Sequence, residues 1–336
     1  MPQLRIDPLS GLRTIVAAER SRRPGGAPTS PPAEPIDVAR DPFAAGHEDR
    51  TPPELYALRE GGEPNGPGWA VRVVPNLYPA LEAPDAAATG DVRRVERGMP
   101  ELFEELPATG AHEVIINAPD PVQSLGELTA DQVALAVGVW QERMRAHQDS
   151  AYVQLIVNER REAGASLPHT HAQLYALPFV PATVARERER AAAHWTRTMG
   201  HDLLSDIVAE EVRREQRIVA IDDEAVLLAP WASRMPYQLM LVPRRPAPRF
   251  ELAGATGARL LHDGLRRLAL ALGGSPPLNM YVRNAPADAE HFCWRIDVLP
   301  RLAYLAGLEL STDLALNIVA PEDAARTLRE VRAPTG

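Results

Sequence analysis

Apolar residues in this chain come in short runs that stop at proline. Trp69–Pro75 (WAVRVVP) and the run HEVIINAP starting at His112 are two of these, the mark of strands. The period then changes. Thr129 followed by Gln132 is a capping-box signature, and Val133, Val137, Trp140 and Met144, spaced 4, 3 and 4, predict the buried stripe of a helix. Residues 152–157 and 169–177 read as strands, and 183–216, dense in Arg and Glu, as one or two solvated helices. The second half repeats this order: strands at 225–230 and 238–243, a helix striped by Leu261, Leu265, Leu268 and Leu272 that stops at Gly273-Gly274, then strands at 279–282 and 291–299. Segments 169–178 and 291–300 align without a gap, and Asn158 and Asn284 follow the preceding strand in each half. An internally duplicated strand–strand–helix–strand–strand unit is expected.

A chain of 336 residues has room for about two such units, at ~150 residues each. All 36 basic residues are arginine, and 45 acidic residues leave a net charge of −9. That balance argues against a general nucleic-acid binder, while arginine forks remain suited to phosphate. The single cysteine, Cys293, excludes an internal disulfide and any zinc site needing two cysteines. No apolar run is long enough for a membrane span, and the first residues lack the apolar core of a signal peptide, so a cytoplasmic protein is expected.

The chemistry concentrates in GASLPHTHAQL. On a strand, His169, His171 and Gln173 share one face. Gly164 and Ala165 permit close backbone approach, and Ser166 adds a hydroxyl. A neutral imidazole can attack phosphorus and leave again near neutral pH. A neighbouring amide can donate to a phosphoryl oxygen without protonating the leaving group. Spacing alone leaves two other readings open: a His-x-His metal pair, or two satisfied core histidines.

The segment resembles the histidine-triad superfamily in its His-x-His-x-Gln branch, the galactose-1-phosphate uridylyltransferase family. The similarity extends to RIDPL at Arg5, AERSRRP at Ala18, GHEDRTPPE at Gly46, VPNLYPAL at Val74, HEVI at His112, Pro300-Arg301, AGLEL at Ala306 and PEDAA at Pro321. It implies an α+β fold of two histidine-triad-like halves sharing a largely antiparallel sheet flanked by helices. Residues 1–68 would be an arm and irregular segment packed on the first half, 69–180 the domain carrying the active strand, 181–218 a helical connector, and 219–332 a second domain without a nucleophile. The implied reaction is ping-pong nucleotidyl transfer. His171 attacks the α-phosphorus of an NDP-sugar, Gln173 holds the phosphoryl oxygens, and a phosphate acceptor takes the nucleotidyl group. UDP-glucose with galactose 1-phosphate is the first substrate pair the resemblance implies. An ADP-glucose-type phosphorylase and an inactive nucleotide-sugar binding protein are the alternatives. Asn158, Gly164 and Ser166 match positions at the nucleotide phosphates, and Asn76 lies in a block that meets the nucleotide. Arg301 and Glu309 match the region of the sugar phosphate. Arg20 and Arg23 match an arm that reaches a partner subunit, so a homodimer is expected.

The chain departs from the family at its metals. Where the family's zinc is held by a Cys-x-x-Cys pair, a later histidine and the first active-strand histidine, this chain has Asp41, Ala44 and Pro121 beside His169. No zinc and no other cofactor is expected, with His47 and His112 the remaining candidates for an improvised ligand set. A second metal in some members lies on the C-terminal strand, where Cys293 and Arg295 stand here, although Glu187 and His291 persist. Cys293 occupies the repeat position of the nucleophile and reads as a buried hydrophobe.

Overall fold

A computed structural model describes residues 1–22, 30, 32–83, 102, 106–254 and 256–331. In chain order the strands are β1 (Gln3–Ile6), β2 (Arg13–Val16), β3 (Tyr56–Arg59), β4 (Trp69–Pro75), β5 (Ala111–Ile116), β6 (Tyr152–Glu159), β7 (His171–Leu177), β8 (Ile218–Ile221), β9 (Ala225–Leu228), β10 (Leu239–Pro243), β11 (Leu278–Arg283), β12 (Arg295–Pro300) and β13 (Ala315–Asn317). The helices are α1 (Ala130–Ala146), α2 (Ala182–Thr198), α3 (Leu203–Arg214), α4 (Ala258–Leu272), α5 (Gly307–Thr312) and α6 (Pro321–Glu330). Ten strands form one sheet in the order β3-β4-β5-β7-β6-β11-β12-β10-β9-β8. Neighbours in it run antiparallel, and β6 against β11 joins the halves, Asn158 facing Asn279. The second five strands repeat the order of the first five, read inward from each edge, with α1 and α4 at corresponding places. Three strands precede the helix in each half, one more than the sequence pattern shows.

Alternation along the strands separates two faces. Val71, Val73, Ile115, Leu155, Val157, Ala172 and Leu174 point with Leu227, Leu241 and Val298 into a core closed by α1, α4 and α6. Helix α1 starts where Thr129 Oγ1 accepts from the Gln132 amide at 3.1 Å. The Gln132 side chain does not close the capping box. It donates to the carbonyls of Ala70 and Asn117 at 2.8 and 2.7 Å, stitching the helix to β4 and to the end of β5. Val133, Val137, Trp140 and Met144 are all buried, each contributing about 1.5–3 kcal/mol by leaving water. Helix α4 ends at Gly273, whose φ of +76° is a left-handed cap that favours glycine.

The other face differs between the halves. In the second half it is covered: Leu204 and Val208 of α3 and Leu9 of the N-terminal arm pack on Ile218, Val226, Leu228, Met240, Val242 and Cys293. In the first half it carries a smaller cluster of Phe43, Trp69, Val74, Val114 and Ile116.

The N-terminal segment departs from expectation. Residues 1–22 do not pack on the first half: β1 pairs with β2, and β2 runs parallel to β13. Arg5 donates to the Trp231 carbonyl at 3.0 Å and pairs with Glu322 at 3.0 Å, and Thr14 donates to the Ala232 carbonyl at 3.0 Å. Residues 56–59, expected within an irregular segment, form the edge strand β3, so the first sheet unit begins before residue 69. Residues 182–198 and 203–214 are two helices. No helix among the described residues is long and apolar enough to cross a membrane.

Candidate active site

Strand β7 starts at His171, not at His169, so the alternation expected across three residues holds for two. His171 and Gln173 line a cavity of about 350 Å³ with Ser166, Asn76, Phe43, Arg50, Thr51, Leu77 and Tyr78. That is large enough for a small organic ligand. One side of it comes from residues 50–52, in a segment that a buried guanidinium organises. Arg72 donates to Glu54 Oε2 at 3.1 Å and to Thr51 Oγ1 at 2.8 Å, while Glu48 accepts from Trp69 Nε1 at 2.8 Å.

The His171 ring is 4% exposed. Its Nδ1–H donates to the His169 carbonyl at 2.8 Å, which fixes the tautomer and leaves the Nε2 lone pair as the ring's reactive site. Burial holds the His171 pKa below the ordinary histidine value, against the hydrogen bond to His169. The ring is therefore neutral at pH 7. Phe43 packs edge-on against it, centroids 5.3 Å apart.

His169 stands behind this ring and outside the cavity. It is fully buried, with Nδ1 at 2.6 Å from Asp41 Oδ2 and Nε2 at 2.9 Å from the Ala118 carbonyl. Both partners accept, so a doubly protonated ring satisfies both. Burial alone would push the Asp41 carboxyl up, but hydrogen bonds from His169 and the Phe43 amide, with the charges of His169 and His47, hold it below its usual value. Asp41 thus neutralises a charge next to the His171 ring. Asn117 fixes the same segment: its amide donates to Thr170 Oγ1 at 3.2 Å and its oxygen accepts from Trp140 Nε1 at 3.0 Å.

Gln173 is oriented by two donors. Its Oε1 accepts from Tyr175 Oη at 2.9 Å and from His112 Nε2 at 3.0 Å. His112 Nδ1 accepts the Ala80 amide at 3.1 Å, so the ring's one hydrogen is on Nε2. Burial depresses the His112 pKa, with the Gln173 bond opposing it. The Gln173 Nε2 hydrogens are left for the cavity.

The other expected residues are dispersed. Asn158 lies on β6; continuing the pairing of Val157 with Ala172 by one residue puts it across from His171. Its Oδ1 accepts from Asn279 Nδ2 at 2.8 Å, and the same amide donates to the Ala163 carbonyl at 2.7 Å. Gly164, φ +91°, ends the turn that carries Ser166 to the cavity. Arg301 follows β12, with its amide on the Pro277 carbonyl at 2.7 Å. Glu309 caps its own helix, accepting from the Ala306 amide at 3.0 Å. Arg20 lies on a turn at 18–22 beside the small sheet. Those three are not among the cavity-lining residues. Arg23 lies outside the described residues. Phe43 and Thr51 carry no periodic signal in the sequence; they are placed by long-range contacts with His171 and Arg72.

The family's metals do not fit these residues. Zinc would need a lone pair of His169, and both its ring nitrogens are taken. Of the other candidate ligands, His47 points Nδ1 at the Asp41 carbonyl at 2.6 Å, and His112 has both ring nitrogens engaged, by the Ala80 amide and by Gln173 Oε1. Glu187 meets Arg295 Nη1 at 3.0 Å and Arg283 Nε at 3.4 Å, where guanidinium groups stand instead of metal ligands. His291 stacks on Trp195 at 4.1 Å. Among the described residues no group of three or more His, Cys, Asp or Glu side chains is placed to hold a metal ion. Excess chelator should leave the thermal unfolding midpoint unchanged; a fall in the midpoint on EDTA treatment would overturn this. Cys293 is buried with its thiol pushed up to about 12 by desolvation, which removes it as a nucleophile.

Comparison with known proteins identifies the family. A family model described as galactose-1-phosphate uridyl transferase, N-terminal domain, matches residues 1–181, and a model of a domain of unknown function matches 108–333. The chain is 26% identical to an ADP-glucose phosphorylase from Arabidopsis thaliana over 98% of its own length and 93% of that protein's. It is 28% identical to a galactose-1-phosphate uridylyltransferase from Haemophilus influenzae over 73% of this chain and 74% of that one. The solved structure of an ADP-glucose phosphorylase from Arabidopsis thaliana with bound ADP-glucose shares its fold, with a TM-score of 0.78 at 24% identity over 99% of this chain and 100% of that one. A model spanning more than half of the sequence, and covering the cavity-lining residues above, makes this chain a member of the galactose-1-phosphate uridyl transferase family.

Proposed function

We propose that this protein moves a nucleoside monophosphate from an NDP-sugar to a phosphate acceptor through a covalent intermediate on His171. The observation that carries the proposal is the His171 ring: one nitrogen is held by a backbone carbonyl, while the other is unprotonated in a cavity. Attack of Nε2 on the α-phosphorus forms a P–N bond and breaks the bond to the sugar 1-phosphate, which leaves as an anion needing no proton. The ring becomes a cation whose Nδ1–H bond to His169 strengthens. An oxygen of the acceptor then attacks the same phosphorus and the P–N bond breaks. Gln173 donates to the phosphoryl oxygens in both steps, and replacing it by alanine should slow adduct formation by about 10²–10³-fold. The near full-length similarity to an ADP-glucose phosphorylase favours ADP-glucose as donor and inorganic phosphate as acceptor. The family model supports a second reading, UDP-glucose with galactose 1-phosphate.

Intact-mass spectrometry after mixing with ADP-glucose or UDP-glucose should show the mass of AMP or UMP on the protein, discharged by phosphate or by galactose 1-phosphate. The donor and acceptor that work choose between the readings. A protein that binds these nucleotide sugars with no adduct would be a binding protein instead.

A further inference from the structure

The reactive cavity has a second layer that acts through Gln173. We propose that His112 and Tyr175 are positioning residues that lock the Gln173 amide with its NH₂ group toward the cavity. This inference rests on the reading of His171 as a nucleotidyl carrier. An amide is nearly symmetric in shape, so packing alone does not decide which end faces a phosphoryl oxygen. Hydrogen bonds do. The Tyr175 hydroxyl at 2.9 Å and His112 Nε2 at 3.0 Å both bring hydrogens to the same Gln173 oxygen. A flipped amide would set its N–H against the His112 N–H, a donor facing a donor, and would present its oxygen to an anion; the Tyr175 hydroxyl, which can donate or accept, adds its hydrogen to the orientation that His112 selects.

The arrangement follows from strand register. β5 pairs with β7 so that His112 sits opposite Tyr175 and Val114 opposite Gln173. His112 and Tyr175 stack with centroids 4.1 Å apart and planes inclined by 24°, and Tyr175 and Gln173 share a strand face two residues apart. The Ala80 amide, 3.1 Å from Nδ1, sets the tautomer because a backbone N–H only donates. Asn76 is oriented separately, within its own turn. The Asn76 oxygen accepts from the Tyr78 amide at 2.9 Å, so its amide nitrogen is the atom lying 3.1 Å from His112 Nε2. The single hydrogen on that ring nitrogen goes to Gln173. Both cavity-lining amides thereby keep their N–H groups for an anionic ligand.

The test is a double-mutant cycle on the rate of adduct formation in a single turnover. His112→Phe retains a ring to stack on Tyr175 and removes both hydrogen bonds. It should slow the step about tenfold, the worth of one neutral hydrogen bond, with donor affinity little changed. Tyr175→Phe should act in the same direction. In the Gln173→Ala background neither substitution should cost anything more, because the group they act through is gone. His112→Gln, which can bring an N–H toward the same oxygen, should recover most of the rate. An equal loss with and without Gln173 would overturn the inference and leave a packing role only, and so would an unchanged rate in His112→Phe. If the wild type itself forms no adduct, the reading of His171 fails and takes this inference with it. Thermal unfolding of each variant separates these outcomes from loss of fold.

Discussion

His171→Ala is expected to abolish adduct formation and to lower turnover by about 10⁴–10⁶-fold, the scale on which removing a covalent nucleophile acts. The fold should survive. The ring contributes one hydrogen bond to the His169 carbonyl and an edge contact with Phe43, and its remaining side opens on the cavity. Circular dichroism and thermal unfolding of the variant check this. The wild-type rate should carry its own signature. Because burial holds the His171 pKa below the usual histidine value, the neutral ring persists at pH 7. The rate of adduct formation should be level there and fall only as the pH drops through that lowered value. A His171→Ala enzyme with normal turnover would end the covalent mechanism, whatever its substrates.

Local pattern was sufficient for the elements that surround this ring and insufficient for what tunes it. The 129–146 helix and Trp69–Pro75 are visible because a 3.6-residue period and a proline-ended apolar run are local properties. Strand β3 lies in a stretch rich in proline and glycine, and all four of its residues are half-buried, so it shows no clean alternation. β1, β2 and β13 have three or four residues each; β1 and β2 form a short hairpin, and β13 joins it from about three hundred residues away. The docking of the arm on the second half has no local signal either: nothing in the sequence around Arg5 points to Trp231 or Glu322, which lie more than two hundred residues away. The candidate pair was legible because His171 and Gln173 do alternate on one strand. His169 broke the pattern because its segment is held by Asp41, Ala118 and Asn117 before the strand begins. The link from His112 to Gln173 requires the β5–β7 register, which no short-range signal encodes.

The largest effect on stability is expected from Asp41, the residue that stands where the family's metal ligands would be. Asp41 and His169 are almost fully buried and meet at 2.6 Å. Removing one partner of a buried pair leaves the other uncompensated, at a cost of about 3–5 kcal/mol. Asp41→Ala should therefore lower the urea midpoint substantially, whereas Asp41→Asn, which keeps an acceptor for the Phe43 amide, should lose less. The pH dependence follows from the sign of the shift. The folded-state pKa of Asp41 lies below its ordinary value of 3.8, so the unfolded state binds the proton more readily. The stabilisation is complete above about pH 5 and disappears as pH falls through the folded value. Wild type and Asp41→Asn should thus differ most at neutral pH and converge in acid. Activity is coupled to the same pair: Asp41 Oδ1 accepts from the Phe43 amide at 3.0 Å, and Phe43 packs on the His171 ring. Asp41→Ala should slow adduct formation even under conditions where the variant is fully folded. A variant that matches the wild type in urea midpoint at pH 7 would show that the ion pair does not stand in for a metal in holding the reactive segment.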